Sequence, residues 1–117
     1  MPTEPRVRVS PLLPVYSAAE KDAANAVIVA LTDQFGGCTV SSTEPPTFRG
    51  YWIDPDGLVI RDEVSLATVD VGDDQLGSST LTRLEDLKRL VFRLYEDAGS
   101  PQQEVWLTTH QILRVVG

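Results

Sequence analysis

Asp62 and Glu63 stand side by side in a run that otherwise reads as a strand. Adjacent strand residues point to opposite faces, so one of the two carboxylates is expected to turn inward and to need a partner, with Arg49 or Arg61 the nearest bases. Arg49 also shares a β-prone segment with Tyr51 and Trp52, and a guanidinium beside two rings suits an anion or a planar ring. Packing of a sheet uses the same aromatics. His110 is the one histidine and could carry a proton near neutrality, although a lone His is more often a hydrogen-bonded structural or surface residue. Cys38 is the one cysteine. It follows an expected helix C-terminus, whose negative partial charge raises a thiol pKa, so a small buried thiol is the default and a Cys38–His110 nucleophilic pair the minor alternative.

Other chemistries lack their residues. A single cysteine excludes an internal disulfide and any multi-cysteine zinc or iron–sulfur site, and one histidine leaves little for a conventional zinc centre, so no metal and no cofactor are expected. Residues 54 to 74 hold Asp54, Asp56, Asp62, Glu63, Asp70, Asp73 and Asp74 against Arg61 alone. They do not follow calcium-loop spacing and read as a solvated strand and loop. Arg83, Lys88, Arg89 and Arg93 are offset by Glu85, Asp86, Glu96 and Asp97. No phosphate-binding loop, dinucleotide fingerprint or nucleophile elbow occurs.

The elements that must position these residues follow from periodicity and punctuation. Arg6 to Ser10 alternates at period two, with Val7 and Val9 facing a core, and Pro11 and Pro14 are expected to end the pairing. Ser17-Ala18-Ala19-Glu20 has capping-box spacing and opens a helix over 18–35 that Gly36-Gly37 stops. Cys38-Thr39-Val40 begins an extended segment interrupted by a loop. Phe48 to Ile53 then turns over Asp54-Pro55-Asp56-Gly57 into a return strand from Leu58 to about Val71, whose change of apolar face suggests a bulge near Ala67. Thr82 to Glu85 has the spacing of a second capping box, and Leu84, Leu87, Leu90, Val91 and Leu94 line a helix ending near Asp97. Gln103 to Thr109 alternates again as the last strand, with a continuation toward Val116.

The order βαββαβ is the ferredoxin-like, split-βαβ arrangement of an α+β fold, a four-stranded antiparallel sheet with two helices on one face. At 117 residues the chain fits one domain, residues 1–117. Hydrophobic residues make up 42% and charged ones 23%, an ordinary globular balance. A net charge of −7 is the wrong sign for a nucleic-acid backbone, so no nucleic-acid partner is expected. The lack of a signal-peptide core or a spanning apolar run points to a soluble, cytoplasmic protein without a membrane partner.

If Val7, Val9, Val105 and Leu107 face the helices, then Arg6, Arg8, Trp106 and an aromatic from Tyr51-Trp52 face away. A second copy, a ligand or the residues after His110 could cover that face. The leading expectation is a binding module that self-associates through the sheet face, as a homodimer. The alternative is a dimeric, cofactor-independent small-molecule enzyme using a sheet–helix cleft, with Arg49, Tyr51, Asp62 and His110 as its first candidates. Arg49, Tyr51, Trp52, Asp62, Trp106 and His110 form the candidate ligand or interface set, and a small-molecule ligand is the second partner considered.

Three stretches carry a family resemblance: Phe35-Gly36-Gly37-Cys38-Thr39-Val40, then Gly50-Tyr51-Trp52-Ile53-Asp54 through Glu63, then Gln103-Glu104-Val105. Together they resemble a family of small bacterial proteins known only as a domain of unknown function, over about residues 15 to 110. In that family an aromatic-x-Gly ends a helix, a Gly-x-Trp strand turns over a short loop, and a Gln-Glu-x-Val opens the last strand. The resemblance implies a ferredoxin-like α+β fold and no particular reaction, cofactor or catalytic residue.

Overall fold

The computed structural model describes residues 3–42, 44, 47–72 and 77–115. Its elements are β1 (Thr3–Pro14), α1 (Ala18–Phe35), β2 (Thr39–Val40), β3 (Phe48–Ile53), β4 (Val59–Gly72), α2 (Ser78–Asp97) and β5 (Leu107–Val115). The strand order is β2-β4-β1-β5, with β3 also on β4 and every pairing antiparallel. Val64 pairs with Phe48 on one side and Pro14 on the other, so β3 continues the edge that β2 begins. The expected second strand is therefore two segments separated by residues 41–47, and the ferredoxin-like order stands.

One hydrophobic core joins Val7, Val9 and Leu13 of β1 and Ala67, Val69 and Val71 of β4 to Val27 and Leu31 of α1 and Leu87, Val91 and Tyr95 of α2. Both helices thus lie on one face. α1 begins where its capping box places it: the Glu20 N–H donates to Ser17 Oγ at 3.1 Å, and the Ser17 N–H donates to Glu20 Oε1 at 3.1 Å. Gly36 closes the helix at φ 79°, a left-handed conformation that a side chain would strain. Ser17→Ala is expected to cost about 1 kcal/mol in urea unfolding, and Ser17→Gly only a few tenths.

The structure corrects four expectations. β1 runs through Pro11 and Pro14 rather than ending at Ser10. Its ladder to β4 skips Ser10 and Pro11 and resumes in register at Leu12–Leu66, while Pro14 lies beyond the last β5 pair, so neither missing N–H interrupts a used hydrogen bond. No bulge occurs at Ala67; the irregularity sits between Val7 and Arg8, opposite Asp70 to Gly72. Small Ser65 and Ala67 hold the core positions of β4 while larger Leu66 is half-buried on the other face, which is why an apolar count misplaced the switch. α2 starts at Ser78 behind an N-cap Gly77 that makes no side-chain cap, so Thr82-Arg83-Leu84-Glu85 lies inside the helix. Finally β5 starts at Leu107, not Gln103, and extends to Val115 because it pairs with β1 from Pro11 back to Thr3. Part of the expected Gly72–Ser79 loop, residues 73–76 with Asp73 and Asp74, lies outside the described residues.

Candidate functional site

The helices leave the second face of the sheet open, and register places its side chains in rows. Ser10 and Thr108 are paired across β1 and β5, and Ser10 Oγ lies 2.8 Å from Thr68 Oγ1 on β4, with Thr39 of β2 paired to Thr68 beyond it. This hydroxyl row separates two unlike neighbours. Toward the start of β1, Arg8 is paired with His110 and with Asp70, and the Asp70 carboxylate accepts from Arg6 Nε at 3.0 Å and lies 2.9 Å from Arg6 Nη2. Toward the end of β1, Leu12 is paired with Leu66 and donates its N–H to the Trp106 carbonyl at 2.9 Å, aligning Trp106, Leu12 and Leu66 as an apolar row. Trp106 is 69% exposed. The residues after His110, as far as Val115, build β5 itself and so do not fold over this face.

A second feature lies where β1 turns into α1. Tyr16, Ser17, Glu20, Trp52, Ile60, Arg61, Asp62 and Gln102 line an open groove of about 340 Å³. The inward carboxylate expected of the Asp62–Glu63 pair divides as follows. Glu63 takes the base, 3.6 Å from Arg61 Nη2, and accepts from Thr47 Oγ1 at 3.2 Å. Asp62 is half-buried, forms no ion pair among the described residues, and accepts the Glu63 N–H at 2.8 Å. Burial pushes its carboxyl up, the Glu63 N–H works against that rise, and the Glu20 and Glu63 carboxylates add to it. Because the folded state then holds this proton more tightly than the unfolded chain, stability falls as pH rises from the unfolded carboxyl range through the raised value. Asp62→Asn should therefore raise Tm at pH 7, with the gain vanishing near pH 3; a lower Tm at pH 7 would contradict this.

The six candidates divide between these places. Trp52 and Asp62 meet in the groove. Arg49 and Tyr51 are exposed on β3, paired with Glu63 and Arg61. Trp106 belongs to the open face, and His110 is exposed there on β5. His110 is level with Asp70, about eight residues along β4 from Asp62, which at ~3.3 Å per residue is on the order of 26 Å. Arg49, Tyr51, Asp62 and His110 thus do not converge on one cleft. Cys38 is half-buried, and burial pushes its thiol up while a backbone hydrogen bond from Thr68 works the other way, as suits an inert thiol. Glu20 and Gln102 were hidden from the sequence, Glu20 because its capping role accounted for it and Gln102 because it sits in an unpatterned loop.

The chain is similar in fold to a phage SAM lyase. In its complex with S-methyl-5'-thioadenosine the lyase is 13% identical, with a TM-score of 0.52 over 95% of this chain and 90% of that one. In the apo state the figures are 17%, 0.52, 97% and 86%. A nitrogen regulatory PII-like protein from Thiomonas intermedia K12, bound to ADP, AMP and bicarbonate, is 13% identical with a TM-score of 0.43, over 95% of this chain and 91% of that one. At these identities the likeness is one of fold. No family model and no curated protein matches the chain, so the resemblance to a domain of unknown function reduces to that shared fold. Among the described residues no helix is long and apolar enough to cross a membrane, and no cluster of His, Cys, Asp or Glu could hold a metal ion.

Proposed function

We propose that the chain is a one-domain binding module whose copies associate through the open sheet face. The observation that carries this reading is the apolar row Trp106–Leu12–Leu66, ending in an indole that is 69% exposed. Burying the exposed part of one indole removes on the order of 150 Å² from water, about 3–4 kcal/mol at ~25 cal/mol per Å². A symmetric contact doubles this to about 7 kcal/mol, the same order as the ~4–15 kcal/mol cost of association. The row is therefore a fitting centre for an interface that needs further contacts around it. Native mass spectrometry of gently purified protein tests the reading: a dimer or higher oligomer is expected, and a bare monomer at tens of micromolar overturns it.

The groove favours a second reading, a small-molecule site. Its support is the set of two rings, Tyr16 and Trp52, beside the carboxylates of Glu20 and Asp62 and the guanidinium of Arg61, a lining that suits a ring-bearing compound with both a positive and a negative group. The shared fold adds that a phage SAM lyase is known in complex with S-methyl-5'-thioadenosine. Calorimetric titration with S-adenosylmethionine and with S-methyl-5'-thioadenosine is expected to show binding that Trp52→Ala weakens at least tenfold. No heat with either compound would set this reading aside.

A further inference from the structure

Among the described residues, six of the twelve exposed large hydrophobic ones lie on one short ribbon: Phe48, Tyr51, Trp52 and Ile53 on or at the end of β3, with Leu58 and Val59 across the turn. Among the described residues β3 pairs only with β4, and β1 leaves β4 at Val15, whose N–H donates to the Glu63 carbonyl. From Val59 to Asp62 the ribbon is thus two strands wide, an arm that helps to stretch the molecule to 51 Å against 29 and 27 Å in its other directions. A two-stranded ribbon is marginal in water and gains order by packing against something. The exposed residues occupy both odd and even positions, so both faces of the arm are apolar.

The arm cannot be covered by its own sheet. β4 is one continuous strand from Val59 to Gly72, so arm and open face are parts of the same surface and move together. Charge indicates what does cover it. The arm carries Asp54 and Asp56 at its tip, with the Asp54 carboxylate held by the Asp56 and Leu58 N–H groups at 3.0 and 2.9 Å, and Asp56 exposed. The open face carries Arg8, which forms no ion pair among the described residues, with His110 beside it. The turn is acidic, with the arm's own guanidinium groups, Arg49 and Arg61, set back on its strands; an apolar arm with an acidic tip and an apolar row bordered by Arg8 are complementary, and the chain carries one of each.

We infer that the hairpin arm of one copy seats on the open sheet face of a second copy, its rings against the Trp106–Leu12 row and its acidic turn toward Arg8. This rests on the self-association proposed above and names the surface that completes the interface. The partner is a second copy because one chain supplies both complementary halves.

The test mixes two forms of the full chain, both carrying Cys38→Ser. One is isotope-labelled with Ile53→Cys; the other is unlabelled with His110→Cys. A short bismaleimide is added and the linked peptides are read by mass spectrometry. Labelled-to-unlabelled links between positions 53 and 110 are expected at least tenfold above those from a control pairing of His110→Cys with Glu85→Cys on the second helix. In parallel, Tyr51→Ser with Ile53→Ser, checked for parent-like circular dichroism, is expected to raise the oligomer's dissociation constant at least tenfold. An oligomer that forms normally but links 53 to 110 no more than 85 to 110 overturns the arm contact while leaving sheet-face association intact. A monomer in every condition overturns both.

Discussion

Tyr95→Ala is expected to remove about a fifth or more of the stability of this fold. Tyr95 is fully buried between α2 and the sheet, and its hydroxyl donates to the Pro14 carbonyl at 2.7 Å. That carbonyl sits at the end of β1, past the last β5 pair, and the phenol supplies a donor there. Truncation to Ala leaves a cavity the size of a ring and costs about 3–5 kcal/mol, against roughly 5–15 kcal/mol for a typical domain. Tyr95→Phe keeps the ring and removes only the donor, for about 1–3 kcal/mol. Urea unfolding at pH 7 separates the two, and a Phe variant within about 0.3 kcal/mol of the parent would show that water replaces the phenol. The same pair predicts a pH effect. Burial holds the Tyr95 hydroxyl protonated far above the ordinary phenol range, and the Glu20 and Asp62 carboxylates add to this. Above pH ~10 the unfolded chain releases a proton that the folded one keeps, so parent stability should fall by about 1.4 kcal/mol per pH unit. The Phe variant lacks this component, and the gap between the two should close toward pH 12.

The second large effect concerns association. Trp106→Glu should leave the fold in place, because the side chain is exposed and only its backbone carbonyl serves the sheet. It should nonetheless weaken self-association by at least a hundredfold, since the indole's apolar contact is lost and a carboxylate would be desolvated at the centre of the interface. Sedimentation velocity on parent and variant measures this directly. A variant that stays oligomeric at the parent's concentration would move the interface away from the Trp106 row. Arg8→Glu offers a contrast in the same experiment: it lies at the margin of the face, so its effect should be smaller and should shrink with added salt.

Much of the fold was legible because its signals are local. The capping box at Ser17, the stop at Gly36 and the Asp54–Gly57 turn each satisfy backbone groups within a few residues, and the helix at 18–35 and the strand at 48–53 fall where those signals put them. Legibility failed where a distant strand decided the outcome. Pro11 and Pro14 read as breakers, yet each sits where its missing N–H meets no ladder. Thr82 and Glu85 have the right spacing for a cap, yet α2 begins a turn earlier. Tyr95 lies four residues beyond Val91 on the core stripe but was not counted among the apolar positions.

The candidate site shows the same division. Period two alone put Val7 and Val9 inward and Arg6, Arg8 and Trp106 outward, because alternation of side chains is a property of one strand. Residue types also limited the chemistry, through a single histidine, a single cysteine and an acidic balance. Alternation puts Glu63 on the same face as Arg61, two residues away, whereas the burial of Asp62 beside Glu20 is set only by the folded chain. That His110 and Asp62 belong to different places, and that Trp52 meets Glu20 beside α1, are likewise consequences of strand order. The sequence by itself determined the order of the main elements and which way the side chains of β1 point, since those follow from interactions within a few residues. The tertiary structure decided which faces share a surface, because register and strand order arise from pairings between residues as distant in sequence as Thr3 and Val115.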